Sequence, residues 1–282
     1  MSKETNLKLT NLDKVFWPKE GYTKGDVIEY YRTISKYILP YLKDRPESLN
    51  RHPNGIEGES FYQKDVDHMP PDWVRTERIY SESGDKDINY LICDDQDTLL
   101  YMANLGCIEI NPWNSRVGSL DNPDYIILDL DPEDLGFEYV IKTAQAIKPV
   151  LDELKLDGFP KTSGKTGIHV FIPVSGMNCE EGREIAHNIA RVVHEKTKKF
   201  TSLERSPSKR QKKVYIDYLQ NGRGQTLAAP YSLRPWPGAT VSTPLEWKEV
   251  TLRLNPKKFT IKTIHQRLKK KGDLWQHVFL SK

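Results

Sequence analysis

Asp129 and Asp131 lie two residues apart at the end of an apolar run, Tyr-Ile-Ile-Leu at positions 125–128. Side chains two residues apart on a strand leave the same face, so the sequence predicts two neighbouring carboxylates. Such a pair either shares a proton or binds a hard divalent cation such as Mg²⁺ or Mn²⁺. Asp217 ends a similar apolar run, Val-Tyr-Ile, and could join the pair if the strands are neighbours. The alternative for the Asp-x-Asp pair is a solvated turn at the end of a strand.

Three acids that hold two divalent ions suit in-line phosphoryl or nucleotidyl transfer. The ions lower the pKa of an attacking hydroxyl and neutralise the charge that builds up in the transition state. A metal-dependent nuclease would use the same parts. A triphosphate site distinguishes the two classes, so cationic groups and backbone donors near the acids are the next features to identify.

Residues 161–169, Lys-Thr-Ser-Gly-Lys-Thr-Gly-Ile-His, have the composition of a phosphate-binding turn. Hydroxyls, a lysine and open backbone N–H groups can together hold phosphate oxygens. The segment is not a Walker A loop, because a strand and not a helix is predicted to follow it. An ordinary β-turn has the same composition. Arg210 and Arg234 are further candidates for binding phosphates through their guanidinium groups.

Apolar periodicity predicts the elements that must position these residues. Helices are predicted from an N-cap at Thr23 to about Tyr41, and over 97–107, 139–154 and 180–198. Strands are predicted over 125–131, 168–172 and 214–219. This order is typical of a mixed α/β protein, with a weak boundary near residue 120.

Composition excludes several classes of protein. Hydrophobic residues make up 37% of the 282-residue chain and aromatic residues 10%, which indicates a folded protein because disordered chains are poor in aromatics. No apolar run is long enough for a membrane span, and the first ten residues lack the apolar core of a secretory signal, so we expect a cytoplasmic protein that does not contact membranes. The spacing of Cys93, Cys107 and Cys179 fits neither a zinc site nor disulfides, and we expect buried thiols.

The net charge of +3 hides a segregated distribution. Residues 121–138 hold seven acids and no Lys or Arg, whereas residues 253–271 hold eight Lys and Arg and no acid. Residues 183–213 hold ten basic and three acidic side chains. An acidic centre among basic surfaces favours binding of a polyanion, although a single charged run is also typical of a solvated helix face.

Taken in order, these residues resemble the polymerase domain of DNA ligase D. This branch of the archaeo-eukaryotic primase superfamily serves non-homologous end joining in bacteria and some archaea. The resemblance covers almost the whole chain, and its most specific segments are residues 11–18, 58–64, 111–116, 128–132, 161–169, 217–221 and 229–234. It implies an α/β fold of the primase-polymerase type, with a mixed or antiparallel central catalytic sheet flanked by helices. It further implies an N-terminal α/β subdomain (1–120) packed on a catalytic subdomain (121–282) in one compact unit.

The resemblance also implies residue roles. Two Mn²⁺ or Mg²⁺ ions would be bound by the catalytic acids Asp129, Asp131 and Asp217. The residues expected to bind the incoming nucleotide are Ser163, Lys165, His169, Arg210, Gln220, Arg234 and Asn111. The residues expected to bind DNA are Lys14 and Lys24 at the 5′-phosphate of the downstream strand, Arg51 near the gap, and Phe61 and Tyr62 at the template base.

Two positions depart from the family pattern. Many relatives have histidine where this chain has Asn111, and asparagine cannot become cationic. Many also have lysine where Thr166 stands here, whereas Lys165 lies one residue earlier.

The sequence therefore predicts a template-directed nucleotidyltransferase that fills gaps and extends 3′ ends at DNA breaks, as a stand-alone protein or as an excised domain. The resemblance further implies that it prefers ribonucleotides. Its expected partners are gapped or broken DNA with a 5′-phosphate and NTPs or dNTPs, with Ku and a separate DNA ligase implied by the resemblance. We expect it at the nucleoid. The alternatives are a primase that initiates strands de novo and a non-catalytic module that binds DNA ends.

Overall fold

The structure is a computed structural model that describes residues 7–82, 84–210 and 212–279, in which strands and helices are mixed along the chain. The strands are β1 (Val15–Trp17), β2 (Tyr22–Thr23), β3 (Glu47–Arg51), β4 (Phe61–Gln63), β5 (Thr76–Ser81), β6 (Lys86–Leu91), β7 (Cys107–Pro112), β8 (Tyr125–Asp131), β9 (Phe159–Thr162), β10 (Ile168–Pro173), β11 (Thr201–Ser202) and β12 (Val214–Asp217). The α-helices are α1 (Lys24–Leu42), α2 (Gln96–Asn104), α3 (Phe137–Glu153), α4 (Cys179–Thr197), α5 (Ile264–Lys271) and α6 (Gln276–Phe279).

Five strands form the central sheet, in the order β11-β12-β8-β10-β9. The middle strand β8 is antiparallel to β12 on one side and to β10 on the other. β9 is antiparallel to β10, whereas the short β11 is parallel to β12. This mixed, largely antiparallel sheet confirms the predicted fold class.

The two faces of β8 have different environments. Ile126, Leu128 and Leu130 lie in a buried core with apolar side chains of α3 and α4. The alternate residues Tyr125 and Ile127 face the other way, into a second core. Because side chains alternate along a strand, Asp129 and Asp131 project from this second face, away from α3 and α4.

A three-stranded sheet, ordered β4-β3-β7, lies on the N-terminal side of the protein. Its core includes side chains of α1 and α2 and, from the other end of the chain, Tyr231, Val241, Ile264 and Trp275. The predicted division near residue 120 stays a prediction, and side chains from both sides of that position share this core. A hairpin of β5 and β6 and the pair β1–β2 complete the described sheets.

Two tyrosines connect α1 to distant parts of the chain. The Tyr30 hydroxyl donates to the Tyr231 carbonyl over 2.7 Å. The Tyr31 hydroxyl donates to the Ile108 carbonyl over 2.6 Å and accepts from the Leu233 N–H over 3.1 Å. Both rings are buried, so α1, β7 and the segment near residue 233 are held together inside the core.

The predicted N-cap of α1 is confirmed. The Thr23 hydroxyl accepts from the Asp26 N–H, and the Asp26 carboxylate accepts from the Thr23 N–H, which forms a capping box. The predictions for β8 and α4 also agree with the structure, to within one residue at each end of α4.

Two predicted boundaries are wrong. The second helix ends at Asn104 and not at Cys107, because Gly106 has φ +78° and Cys107 begins β7. The strand predicted over 214–219 ends at Asp217, where the carboxylate accepts from the Leu219 N–H and the chain turns into a short 3₁₀ helix.

Cys93, Cys107 and Cys179 are free and buried, as predicted. None of the helices in the described ranges is long and apolar enough to cross a membrane.

Candidate active site

A row of polar residues crosses the central sheet. Asp217 of β12 and His169 of β10 lie on either side of Asp129 of β8, each directly opposite it in register. Lys161 of β9 lies opposite His169 and continues the row. Directly opposite residues project from the same face, so the strand pairing places these four side chains on the face turned away from α3 and α4.

The electrostatics of the acids favour a cation. Burial raises the pKa of Asp129 well above its usual value, and the nearby charges of Asp131 and Asp217 raise it further. Burial also raises the pKa of Asp217, although hydrogen bonds from Leu219 N–H and other donors act in the opposite direction. A divalent cation would relieve the repulsion between these carboxylates.

The donor set fits a hard cation in its chemistry, because it consists of carboxylate oxygens. The side chains as they stand do not form a closed metal site: in the described part of the chain, no group of three His, Cys, Asp or Glu residues could hold an ion. The Asp217 carboxylate accepts from the Leu219 N–H over 2.7 Å and from Gln220 Nε2 over 3.3 Å. The strand register therefore places Asp217 beside Asp129, as predicted. The Asp217 carboxylate, however, is hydrogen-bonded within the turn that follows β12.

The turn between β9 and β10 is held by Ser163. Its hydroxyl oxygen accepts from the N–H groups of Lys165 (3.1 Å) and Gly167 (2.9 Å). Glycine is required at two positions of the turn: Gly164 has φ +80°, and a Cβ on Gly167 would lie 2.4 Å from the Leu130 carbonyl oxygen. The turn therefore packs directly against the end of β8.

Glu109 of β7 organises the cations of the site, and sequence reasoning missed it. Its Oε2 lies 2.8 Å from Arg234 Nε and 3.8 Å from Lys165 Nζ, and its side chain is 3% exposed. Arg234 also donates from Nη1 to the Ser163 carbonyl over 2.8 Å. The sequence signal that could have identified Glu109 is its place between Ile108 and Ile110. Asp217 was identified in the same way, as an acid in an apolar strand.

These residues line a cleft of about 410 Å³. It is bounded by the three-stranded sheet on one side and the central sheet on the other. The predicted residues that line it are Tyr62, Asn111, Asp129, Asp131, Ser163, Lys165, His169, Gln220 and Arg234. Glu109, Thr166 and the segment 225–228 complete the lining.

Arg210 does not line the cleft. Its guanidinium lies 3.9 Å from the centre of the Tyr215 ring and donates to the carbonyls of Glu204 and Arg205. Tyr215 lies opposite Asp131 in register, and its hydroxyl donates to Asp217 over 3.3 Å. Arg210 is thus held beside the acids through an aromatic ring.

Asn111 is 3% exposed, and its amide N–H groups lie within 3.4 Å of the carbonyls of Ser48 and Glu109. At this edge of the cleft it therefore contributes a neutral amide.

A second basic cluster lies at the start of α1. Burial lowers the pKa of Lys24, and the charges of Lys14 and Arg51 lower it further, so the three cations are close together. Lys24 donates to the Thr10 carbonyl over 2.7 Å, and Lys14 donates to Asn54 Oδ1 over 2.6 Å. No carboxylate among the described residues forms an ion pair with any of the three, which leaves their charge available to an anion.

Two aromatic rings of β4 are exposed between this cluster and the cleft. Phe61 is 46% exposed and lies under the Arg51 guanidinium, while Tyr62 is 61% exposed and lines the cleft. Burial and the neighbouring Glu109 raise the pKa of the Tyr62 hydroxyl to about 12. The hydroxyl accepts from Asn50 Nδ2 over 3.4 Å, while much of the ring remains open to solvent.

Comparison with known proteins gives consistent results. Residues 23–275 match the family described as LigD, primase-polymerase domain. The chain is 36% identical over 269 residues to the bifunctional non-homologous end joining protein LigD of Bacillus subtilis, covering 94% of this chain and 43% of that protein. It is 30% identical over 254 residues to the multifunctional LigD protein of Mycolicibacterium smegmatis, covering 89% of this chain and 33% of that protein. The chain thus spans less than half the length of these relatives.

A solved structure is also similar. The polymerase domain from Mycobacterium tuberculosis ligase D, in complex with DNA, superimposes with a TM-score of 0.91 at 26% sequence identity, and the match covers 99% of each chain.

Proposed function

Because this chain belongs to the family of LigD primase-polymerase domains, we propose that it is a template-directed nucleotidyltransferase that fills gaps and extends 3′ ends during non-homologous end joining. The observation that carries this proposal is the row Asp217–Asp129–His169 across the central sheet. Asp129 and His169 of this row line the cleft together with Arg234 and Lys165, and Asp217 lies beside Asp129 on the neighbouring strand.

In the proposed reaction, a primer 3′-hydroxyl attacks the α-phosphate of a nucleoside triphosphate and pyrophosphate leaves. Two Mg²⁺ or Mn²⁺ ions, if held by Asp129, Asp131 and Asp217, would lower the pKa of the attacking hydroxyl and neutralise developing charge. The chain's own contribution is to orient the triphosphate, which supplies much of the catalysis in such transfers.

The triphosphate would be held by the cations and donors of the cleft. Arg234 is fixed at two points, by Glu109 and by the Ser163 carbonyl, so its guanidinium is oriented before a ligand arrives. His169 and Lys165 add donors on the same side. Such preorganised groups lose little freedom on binding.

DNA would be bound at the N-terminal side. Lys14, Lys24 and Arg51, which pair with no carboxylate of the described residues, have the charge expected of a 5′-phosphate site on the downstream strand. The exposed rings of Phe61 and Tyr62 are suited to stacking on an unpaired template base. The DNA-bound state of the similar Mycobacterium tuberculosis domain supports DNA as the substrate.

Three further parts of the proposal derive from the family resemblance. Ribonucleotides would be preferred over deoxyribonucleotides, Mn²⁺ would support the reaction, and Ku and a separate DNA ligase would act at the same breaks in the nucleoid.

The experiment is primer extension on a gapped duplex, with labelled rNTPs or dNTPs in Mg²⁺ and in Mn²⁺. We expect metal-dependent, template-directed extension by the wild type and none by Asp129→Ala. Asp134→Ala is the matched control, because Asp134 lies in the same acidic stretch with its side chain 67% exposed. Equal extension by Asp129→Ala and the wild type would refute the proposal. Dinucleotide synthesis on unprimed single strands would instead indicate a primase, and DNA binding without any extension would indicate an end-binding module.

A further inference from the structure

Lys161 is a fully buried lysine that the proposed reaction does not use. Its relative exposure is 0%, and in the part of the chain that the structure describes it forms no ion pair with a carboxylate. Lysine is almost never fully buried without a partner for its charge. Burial, together with the charge of Arg234, lowers the pKa of Lys161, so groups that accept its protons are needed to keep it charged.

Three polar atoms surround the Lys161 amine. Nζ lies 2.8 Å from His169 Nδ1 and 2.9 Å from the Ala228 carbonyl oxygen, and it also donates to Ser242 Oγ. The Ala228 carbonyl can only accept. The Ser242 hydroxyl donates its one proton to the Thr162 carbonyl over 3.0 Å, so toward Lys161 it accepts. If Lys161 is charged, its ammonium group has three N–H donors, and the third is directed at His169 Nδ1.

This count of donors assigns the protons of His169. If Nδ1 accepts from Lys161, the ring proton of a neutral imidazole is on Nε2. His169 Nε2 lies 3.4 Å from Asp129 Oδ1, and the ring lines the cleft. With a proton on Nε2, the ring presents a hydrogen-bond donor to Asp129 Oδ1. Without that proton, two acceptors would face each other.

We propose that Lys161 is a positioning residue that holds His169 with Nδ1 turned toward the interior and the Nε2–H group presented to the cleft. The Nε2–H group is then available to Asp129 or, resting on the proposed function, to an oxygen of a bound triphosphate. Lys161 also donates to the carbonyl of Ala228, which lines the same cleft. One buried side chain therefore positions two residues of the cleft wall, His169 and Ala228.

The first test measures the tautomer of His169 in the wild-type protein with Mg²⁺ present, from the ¹⁵N shifts of its ring nitrogens. The chain has seven histidines, so the signal is assigned by its loss in His169→Ala. We expect a proton on Nε2 and none on Nδ1. A proton on Nδ1, which a neutral Lys161 amine would accept, or a mixture of the two tautomers, overturns the proposal. This measurement needs no Lys161 variant to fold and no catalytic activity.

The second test is a double-mutant cycle with Lys161→Gln and His169→Ala. The readouts are the Kd for a non-hydrolysable ATP analogue and the KM and kcat for extension. If Lys161 acts through His169, Lys161→Gln should weaken analogue binding at least 5-fold in the wild-type background and less than 2-fold in the His169→Ala background. The KM should rise more than kcat falls. Equal losses in both backgrounds overturn the proposal.

Thr143→Val is the control for loss of a buried hydrogen bond without a role at the cleft. Thr143 is fully buried on α3, and its hydroxyl donates to the Tyr139 carbonyl over 2.8 Å. The Thr143→Val variant should have a lower melting temperature and an unchanged Kd for the ATP analogue. If His169→Ala itself leaves analogue binding unchanged, the nucleotide role of His169 in the proposed function is refuted, whereas the tautomer measurement still decides the role of Lys161.

Discussion

Asp217 and Asp129 lie directly opposite each other on the neighbouring antiparallel strands β12 and β8. They are 88 positions apart in the sequence, yet the sheet makes them cross-strand neighbours on one face. The first prediction tests whether this pairing serves chemistry or only the binding of DNA.

Asp217→Asn should abolish extension while DNA binding is preserved. The amide oxygen of asparagine can still accept from the Leu219 N–H, so the turn should survive, but the negative charge for a cation is lost. Several kcal/mol of transition-state stabilisation correspond to a fall in kcat of at least about 100-fold. Fluorescence anisotropy should give a Kd for gapped DNA within about 2-fold of the wild type. Full turnover by this variant would exclude the assigned role of Asp217.

Lys24→Ala should remove the preference for a 5′-phosphate. A charge-assisted hydrogen bond to phosphate contributes roughly 1.5–3 kcal/mol, so binding of a phosphorylated gap should weaken about 10-fold or more. Binding of the 5′-hydroxyl gap should change little, and the slope of log K against log salt should decrease by about 1. Lys19→Ala, an exposed lysine of the same segment, is the control. Wild-type protein that binds both gaps equally well would contradict this assignment.

Tyr62→Ala should weaken binding of DNA with an unpaired template base at the gap. Stacking on an aromatic ring contributes roughly 1–3 kcal/mol per base, which corresponds to a loss of about 5-fold to 150-fold. Tyr62→Phe keeps the ring and should retain most of the affinity. Tyr80→Ala removes another ring that is 51% exposed and should have little effect. Equal losses in Tyr62→Phe and Tyr62→Ala would show that the hydroxyl and not the ring is responsible.

Gly55→Ala should be more destabilising than Gly21→Ala. Both glycines have positive φ (+79° and +74°), so each alanine costs about 1–2 kcal/mol in backbone strain. A Cβ on Gly55 would lie 2.7 Å from the Phe16 carbonyl oxygen, whereas nothing lies within 4 Å of one on Gly21. Urea unfolding should show an additional loss of at least about 1 kcal/mol for Gly55→Ala. Asn54, the residue before Gly55, accepts a hydrogen bond from Lys14 of the basic cluster. Binding of the 5′-phosphate should therefore weaken in Gly55→Ala and not in Gly21→Ala.

The pairing of Glu249 with Arg267 should make stability depend on pH in the acidic range. Burial alone would raise the pKa of Glu249, but hydrogen bonds from Arg267 at 2.6 and 2.7 Å, together with other donors, lower it to about 2. The depressed pKa means that the stabilisation is complete above the unfolded value near 4.5 and is lost as the pH falls toward 2. Glu249→Gln should be less stable by on the order of 2 kcal/mol at pH 7. In thermal unfolding, the difference between the two proteins should narrow below pH 4.5 and stay constant from pH 5 to 8.

The acids and the turn were predictable because their signals are local. The span of β8 follows from an apolar run that ends in Asp-x-Asp. The turn predicted within residues 161–169 occupies residues 163–167 and leads into β10, as expected. Thr23 was identifiable as an N-cap because the cap and its partner Asp26 lie within one helical turn.

The rest depends on pairing between distant segments. Glu109 and Lys161 become part of the site only because β7 faces the central sheet across the cleft and β9 pairs with β10, and no local pattern encodes those contacts. The end of β12 was misplaced for a related reason: Tyr218 and Leu219 are apolar enough to continue a strand, but the bond from Leu219 N–H to Asp217 turns the chain.

The two bonds of Tyr31 have a consequence for substrate length. This hydroxyl connects α1, whose first residue is Lys24, to β7 with Glu109 and to the segment that carries Arg234. The separation between the basic cluster and the cleft is thus fixed by buried hydrogen bonds and not by a flexible linker. In the proposed complex, a DNA that occupied both places would therefore have to span a separation that the core sets.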